Sequence, residues 1–166
     1  SPSMSLKDSG SGSFSVLTPD QTLTTYRGRL DISWNGERWC LVNRLDEEEY
    51  LRGVVPIEMS NSWAARGFEA LKAQAVAART YMVKFVKEGK ITDSPNIHQA
   101  YLGKSVEGAA SEAVEATRGE ILVDRVTGLP INVYYSAHNG GYSEETQNVW
   151  LNHDPHYKSR PDPFSL

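Results

Sequence analysis

The stretch EALKAQAVAARTYMVKFVK, Glu69 to Lys87, constrains the fold more than any other part of the chain. It is rich in strong helix formers and is followed by Gly89, a residue suited to the left-handed turn that ends a helix. Apolar residues lie nearly all round it, which predicts a helix sunk into a core rather than laid on a surface. Lys72 and Arg79 stand seven residues apart, so they share one face with roughly 20° of drift. Two cations on such a helix need acidic partners, with Glu69 and Asp46 as candidates, or else a ligand.

The flanking segments supply what packs on this helix. Leu30, Ile32 and Trp34 alternate with polar residues, and the alternation resumes at Trp39 and Leu41 after Asn35-Gly36. This predicts a hairpin with a two-residue turn, Ile32 opposite Trp39 and Leu30 opposite Leu41. Asp46, followed by three glutamates, caps a short helix ending near Gly53. Pro56 disfavours helical geometry at Val55, which places Glu58 near a backbone break. A second helix is expected from Val106 to Thr117, stopping at Gly119. Strands are expected at Glu120 to Asp124 and Leu129 to Ala137, joined at Thr127-Gly128. The pattern predicts an α+β fold: a single domain over residues 14–166, with a buried central helix and antiparallel strands around a substrate groove. Residues 1–13, rich in Ser and Gly, read as a flexible tail, and the proline-bearing segment after Asp154 as irregular surface structure.

Composition narrows the function classes. With 166 residues the chain can bury one substantial core, and 39% hydrophobic with 23% charged residues is ordinary for a globular protein. A net charge of -4 argues against nucleic acid as a partner, since phosphate backbones are gripped by clustered Lys and Arg. The single cysteine, Cys40, excludes an internal disulfide framework and any multi-cysteine zinc site. These residues contain neither a membrane-spanning apolar run nor a signal peptide, and a secreted protein trimmed of its leader has the same appearance. P-loop, dinucleotide, His-Glu-x-x-His and Gly-x-Ser-x-Gly motifs are absent.

What remains is a set of polar residues in unlikely neighbourhoods: Glu58, Lys72 with Arg79, His98-Gln99-x-Tyr101, and Ser136 to Glu144. YLRGVVPIEM (Tyr50 to Met59) followed by EALKAQAVAARTY (Glu69 to Tyr81) resembles the signature of the stage II sporulation protein D, or amidase-enhancer, family. The resemblance continues through His98-Gln99-Ala100-Tyr101, Gly128 to Ile131 and YYSAHNGGYSEE (Tyr134 to Glu145). It implies an extracytoplasmic lytic transglycosylase that cuts peptidoglycan glycan strands already stripped of stem peptides, with an N-acetylmuramoyl-L-alanine amidase as partner. It implies Glu58 as the catalytic acid. Lys72 and Arg79 fall on the family's helix cations. Substrate contacts are expected from both of these and from His98, Gln99, Tyr101, Ser136, His138, Gly140, Gly141 and Tyr142. The family's usual His directly after the third-block Tyr is replaced here by Ser136, with His138 coming later. Some members hold zinc with one histidine and two cysteines, which a chain with only Cys40 cannot reproduce, so no metal or other cofactor is expected.

The residues support that chemistry separately. Breaking a glycosidic bond requires a proton on the departing oxygen, and a carboxylic acid supplies it when apolar surroundings keep it protonated. Glu58 lies between Ile57 and Met59. Ordinary glycosidases use two carboxylates, for which Glu144 or Glu145 is the only attractive second member. A transglycosylase needs one, because the sugar's own 6-hydroxyl is the nucleophile. Plainer readings stand beside these. Arg79 and Lys72 can simply pin the helix to acids; Gly140-Gly141 can be only a turn; His153-x-x-His156 has metal-like composition without a third well-placed partner. Trp63 is the tryptophan nominated for stacking on a sugar. The rival to an enzyme is a non-catalytic wall-binding module that recruits or stimulates an amidase.

Overall fold

The helix that carries Glu58 is longer than its sequence suggests. In the computed structural model, which describes residues 3–6 (backbone), 12–17, 21–86, 89, 91–92 and 97–165, helix α1 runs Glu47–Glu58 without a break at Gly53. Asp46 starts it with a capping box: its carboxylate accepts the Glu48 N–H at 3.0 Å, and Glu49 reaches back to the Asp46 N–H. Pro56 sits inside the helix and leaves the Arg52 carbonyl without its usual partner. The Ser111 hydroxyl donates to that carbonyl at 3.1 Å, which is why the helix survives the proline. Gly53 persists for a different reason: a methyl group there would meet the Tyr101 ring at 2.6 Å. The helix ends where Met59 turns extended, so Glu58, its last residue, does lie at a backbone break.

Helix α2, Phe68–Phe85, buries Leu71, Ala75, Ala78, Arg79 and Met82 but leaves Glu69, Ala73, Val83 and Lys84 exposed. The central helix is therefore buried along one side rather than all round, and residues 87–88 of its expected end lie outside the described residues. Helix α3, Ala109–Ala116, starts three residues later than expected. A 3₁₀ turn takes Gly103–Val106, and the Asn61 side chain accepts the Ala110 N–H at 2.8 Å while donating to the Val106 carbonyl at 3.1 Å. Asn61 belongs to a second 3₁₀ turn, Asn61–Ala65, just after Glu58. Small residues let the three helices approach: Ala75, Ala78, Ala110 and Ala113 are fully buried with Leu51, Val54, Val55, Leu71 and Val114.

Five strands precede the helices: β1 Ser3–Leu6, β2 Ser13–Leu17, β3 Leu23–Arg27, β4 Arg29–Trp34 and β5 Trp39–Arg44. They form an antiparallel sheet ordered β1-β4-β5 and a two-stranded β2-β3 ribbon. Strand β1 corrects the reading of residues 1–13 as a flexible tail, since Met4 pairs with Ile32 and Leu6 with Leu30; residues 1–2 and 7–11 lie outside the described residues. The hairpin is present with its register shifted by two: Ile32 faces Leu41 and Trp34 faces Trp39. The Asn35 side chain accepts both the Glu37 and Arg38 N–H groups, so the loop closes over four residues instead of two. An even shift leaves each side chain on its expected face. Beyond α3, the two expected strands reduce to a bridge between Val123 and Pro130, where proline cannot donate to a ladder. A short helix α4, Thr146–Trp150, follows.

Replacing Gly53 by Ala tests the close approach of Tyr101. Helix propensity alone favours the alanine by about 1 kcal/mol. The contact should reverse that sign and destabilise the fold by about 1–3 kcal/mol in urea unfolding.

Candidate active site

The end of α1 presents Glu58 half-buried, and the Ala100 N–H donates to its Oε1 at 3.1 Å. The neighbours in sequence do not enclose it: Ile57 is 37% exposed and points its apolar surface toward solvent. Enclosure comes from three tyrosines. Burial pushes the hydroxyls of Tyr50 and Tyr135 above the usual phenol range, and the Glu58 carboxylate adds to the shift in both. Tyr81 is raised in the same way, by burial, then by Tyr134, then by Glu58. Three tyrosines, one each from α1, α2 and the extended segment 131–136, thus lie within electrostatic reach of the acid. None of the three was singled out from the sequence, although Tyr81 stands two residues after Arg79 and Tyr135 just before Ser136.

Gln99 assembles this arrangement from beneath. It is 2% exposed, donates to the Ala78 carbonyl at 3.1 Å and to the Tyr135 hydroxyl at 3.0 Å, and accepts from the Tyr50 hydroxyl at 3.5 Å. Tyr101 is buried with its ring against Tyr50 and Tyr26, and its hydroxyl accepts from the Asn43 side chain at 3.0 Å. Gln99 and Tyr101, expected to touch substrate, thus lie in the packing behind Glu58. His98 bonds Thr92 Oγ1 through Nδ1 at 2.9 Å and lines a largely apolar groove with Phe14, Leu41, Met82 and the far side of Tyr50 and Tyr101.

The two helix cations separate. Lys72 is half-buried and donates to Glu69 at 2.9 Å, the pairing considered from the sequence. Arg79 is 1% exposed and points into the protein, which corrects its expected place in the groove. Its guanidinium grips Glu48 through Nε at 2.9 Å and Nη2 at 2.7 Å, and donates further to the carbonyls of Val114 and Glu120, both at 3.1 Å. Ser136, His138, Gly140 and Tyr142 are exposed on a loop after Tyr135. Gly140 and Gly141 have φ of 71° and 92°, a backbone only glycine adopts without strain. The Gly140 N–H donates to His138 Nδ1 at 3.0 Å, and Asn139 ties the loop to Asp162 at 2.8 Å. Trp63 is exposed over Gly67, whose Cβ would meet the ring at 2.9 Å.

Cys40 lies half-buried in β5 and is the sole cysteine, so a site built from one histidine and two cysteines does not fit this chain. Among the described residues no three His, Cys, Asp or Glu side chains converge as metal ligands. Nor is any described helix long and apolar enough to cross a membrane.

Two outcomes follow from this geometry. Arg79→Met leaves Glu48 buried and unpaired, so it should cost about 3–5 kcal/mol in urea unfolding, whereas Lys72→Met, which breaks a surface pair, should cost no more than about 1 kcal/mol. Equal costs would mean that the two cations do the same work. The second concerns alkaline pH. Burial raises the folded-state values of Tyr50, Tyr101 and Tyr135 above the free value of 10.0. Above that pH the unfolded chain releases protons that the folded chain keeps, so stability is fully present below it and is lost as pH rises beyond it. Phenolate absorbance followed against pH should therefore include a step that coincides with loss of circular dichroism.

Residues 35–123, more than half of the chain, match the family described as Stage II sporulation protein. The chain is 41% identical over 112 residues to the "Amidase enhancer" of Bacillus subtilis strain 168, covering 68% of this chain and 15% of that protein. It is 31% identical over 143 residues to "Stage II sporulation protein D" of the same organism, covering 74% of this chain and 40% of the relative. An uncharacterized protein of Brachyspira hyodysenteriae is 38% identical over 131 residues, covering 75% of this chain and 34% of that protein. The chain thus spans well under half the length of these curated relatives. No solved structure matches it. The match across α1, α2 and α3 shows that the chain belongs to the stage II sporulation protein D family.

Proposed function

We propose that this chain cleaves the MurNAc–GlcNAc linkage of denuded peptidoglycan strands as a lytic transglycosylase, outside the cytoplasm, in cell-wall remodelling that includes sporulation. One observation carries the reading: Glu58 stands half-buried as the last residue of a helix, one oxygen held by the Ala100 N–H, next to Gln99, which bonds the hydroxyls of Tyr50 and Tyr135. In this reaction the Glu58 carboxyl gives its proton to the glycosidic oxygen as the bond from MurNAc C1 to that oxygen breaks. The resulting carboxylate takes the proton of the MurNAc 6-hydroxyl as O6 bonds to C1. Glu58 ends protonated again, no water is consumed, and the product ends in 1,6-anhydro-MurNAc. Tyr135, whose hydroxyl accepts from Gln99 and keeps its own proton to give, acts as a donor to the sugar, while Tyr50, buried and donating to Gln99, acts through packing. Lys72 and the loop residues Ser136, His138, Gly140, Gly141 and Tyr142 are the groups free to touch substrate. His98, Gln99, Tyr101 and Arg79 act through packing.

A second reading has its own support: the relative named "Amidase enhancer" favours a module that binds glycan and stimulates an amidase. Purified denuded glycan incubated with this chain alone separates the two, because an enhancer releases nothing without its partner. For the enzyme, Glu58→Gln should remove turnover by at least about a hundredfold with an unchanged thermal midpoint, since the amide keeps the shape and lacks the proton. Mass spectrometry should show each product lighter by one water than its hydrolytic equivalent. Hydrogen bonds from Asn148 and from the Glu145 N–H hold Glu144 below the usual carboxylate range, as suits a base rather than an acid. Reducing-end products that disappear in Glu144→Gln would therefore replace the single-acid mechanism with a two-carboxylate hydrolase.

A further inference from the structure

A cleft of about 440 Å³ lies beside the segment that supplies Tyr135. Its wall carries Tyr134 and Trp150, stacked with centroids 4.3 Å apart and planes 25° from parallel, and 38% and 50% exposed. Large aromatic rings left this open forgo burial that the fold could otherwise use. The same cleft is lined by the polar groups of Asn132, Asn152, His153 and Asp154. Asn132 and Asp154 are joined at 2.9 Å, so their positions are set before anything binds. Aromatic faces beside fixed amide and carboxylate groups match a pyranose ring, which presents an apolar C–H face and an equatorial rim of hydroxyl and acetamido groups.

The cleft connects to Glu58 through the segment 131–136. Tyr134, on the cleft wall, directly precedes Tyr135, whose hydroxyl accepts from Gln99, and the next residue after Gln99, Ala100, donates to Glu58. Lys84 closes the other side of the cleft and donates to the Pro130 carbonyl at 3.0 Å. We propose that this cleft is a distal subsite for an N-acetylhexosamine ring of the glycan strand, with Trp150, braced by Tyr134, as its stacking platform. The inference rests on the glycan-cleaving reading of Glu58 and deepens it: a strand long enough to fill both places is held better than a short one.

Calorimetric titration of denuded glycan oligosaccharides of increasing length into the Glu58→Gln protein, which leaves them uncut, tests the subsite. Affinity should rise by about tenfold once a chain is long enough to reach Trp150, the scale of one desolvated aromatic contact. Trp150→Ala should erase that rise while short oligosaccharides bind as before, and Trp150→Phe, which keeps an aromatic face, should restore part of it. A rise that survives Trp150→Ala, or the absence of any rise with length, overturns the subsite and leaves the proposed reaction standing. Failure of every oligosaccharide to bind overturns both.

Discussion

Arg79 and Glu48 are taken out of water together, and the rest of the architecture is arranged around satisfying them. Removing two charges from solvent costs several kcal/mol each, so such a pair persists only when the remaining hydrogen-bonding capacity is also met. Here the guanidinium donates to Glu48 through two nitrogens, to the Val114 and Glu120 carbonyls, and to Thr117 Oγ1 at 3.4 Å. Glu48 also accepts the Gly119 N–H at 3.1 Å. The acid sits in the first turn of α1 and the cation at the carbonyl end of α3, so each charge meets the favourable end of a helix dipole. Three helices and the turn after α3 are thereby fixed in one arrangement, which an apolar contact would specify less uniquely.

That arrangement determines where Glu58 stands. With the first turn of α1 locked, the position of its last residue depends on the helix staying straight through Gly53 and Pro56. Tyr101 fills the space left by the missing side chain of Gly53, and Ser111 answers the carbonyl that Pro56 leaves open. Asn61 then ties the turn after Glu58 to the start of α3. Gln99 bridges α1, α2 and Tyr135, while the next residue, Ala100, supplies the N–H that holds Glu58. The end of α1 is thus fixed by several independent contacts and the Glu58 carboxyl by one, the preorganisation that a single-acid mechanism would demand.

Local signals were legible in the sequence where local physics decides the outcome. Asp46 as a cap, the helix formers of α2, and the alternation flanking Asn35-Gly36 each depend on residues within a few positions, and each element is present. The hairpin register was decided by the nearby Asn35 side chain, but the larger differences share another cause, a partner far away in sequence. Pro56 weighs against a helix only until Ser111 appears beside Arg52. The spacing of Lys72 and Arg79 shows that they share a face, yet it cannot say that Glu48 will draw one inward while Glu69 holds the other at the surface. Gln99 and Tyr101 are polar residues in an apolar context, which fits a buried network as well as a ligand groove. The three tyrosines around Glu58 come from three elements and carry no shared spacing at all.

The part of the chain after residue 123 is held differently from the three helices. Val133 and Thr146 are its buried residues among those described; most of its attachment is polar. His156 is held between Asp124 at 3.0 Å and Asp154 at 2.7 Å, and the two carboxylates raise its affinity for a proton. The Tyr157 hydroxyl donates to the Asn132 carbonyl at 2.8 Å, and Asn139 donates to Asp162. Polar staples of this kind fix direction while allowing the side chains between them to change without opening a core. The segment also supplies Tyr134, the His138 loop and Trp150, whereas the helices supply Glu58. Such a division lets the side chains of that segment be altered while the helices that hold Glu58 keep one geometry.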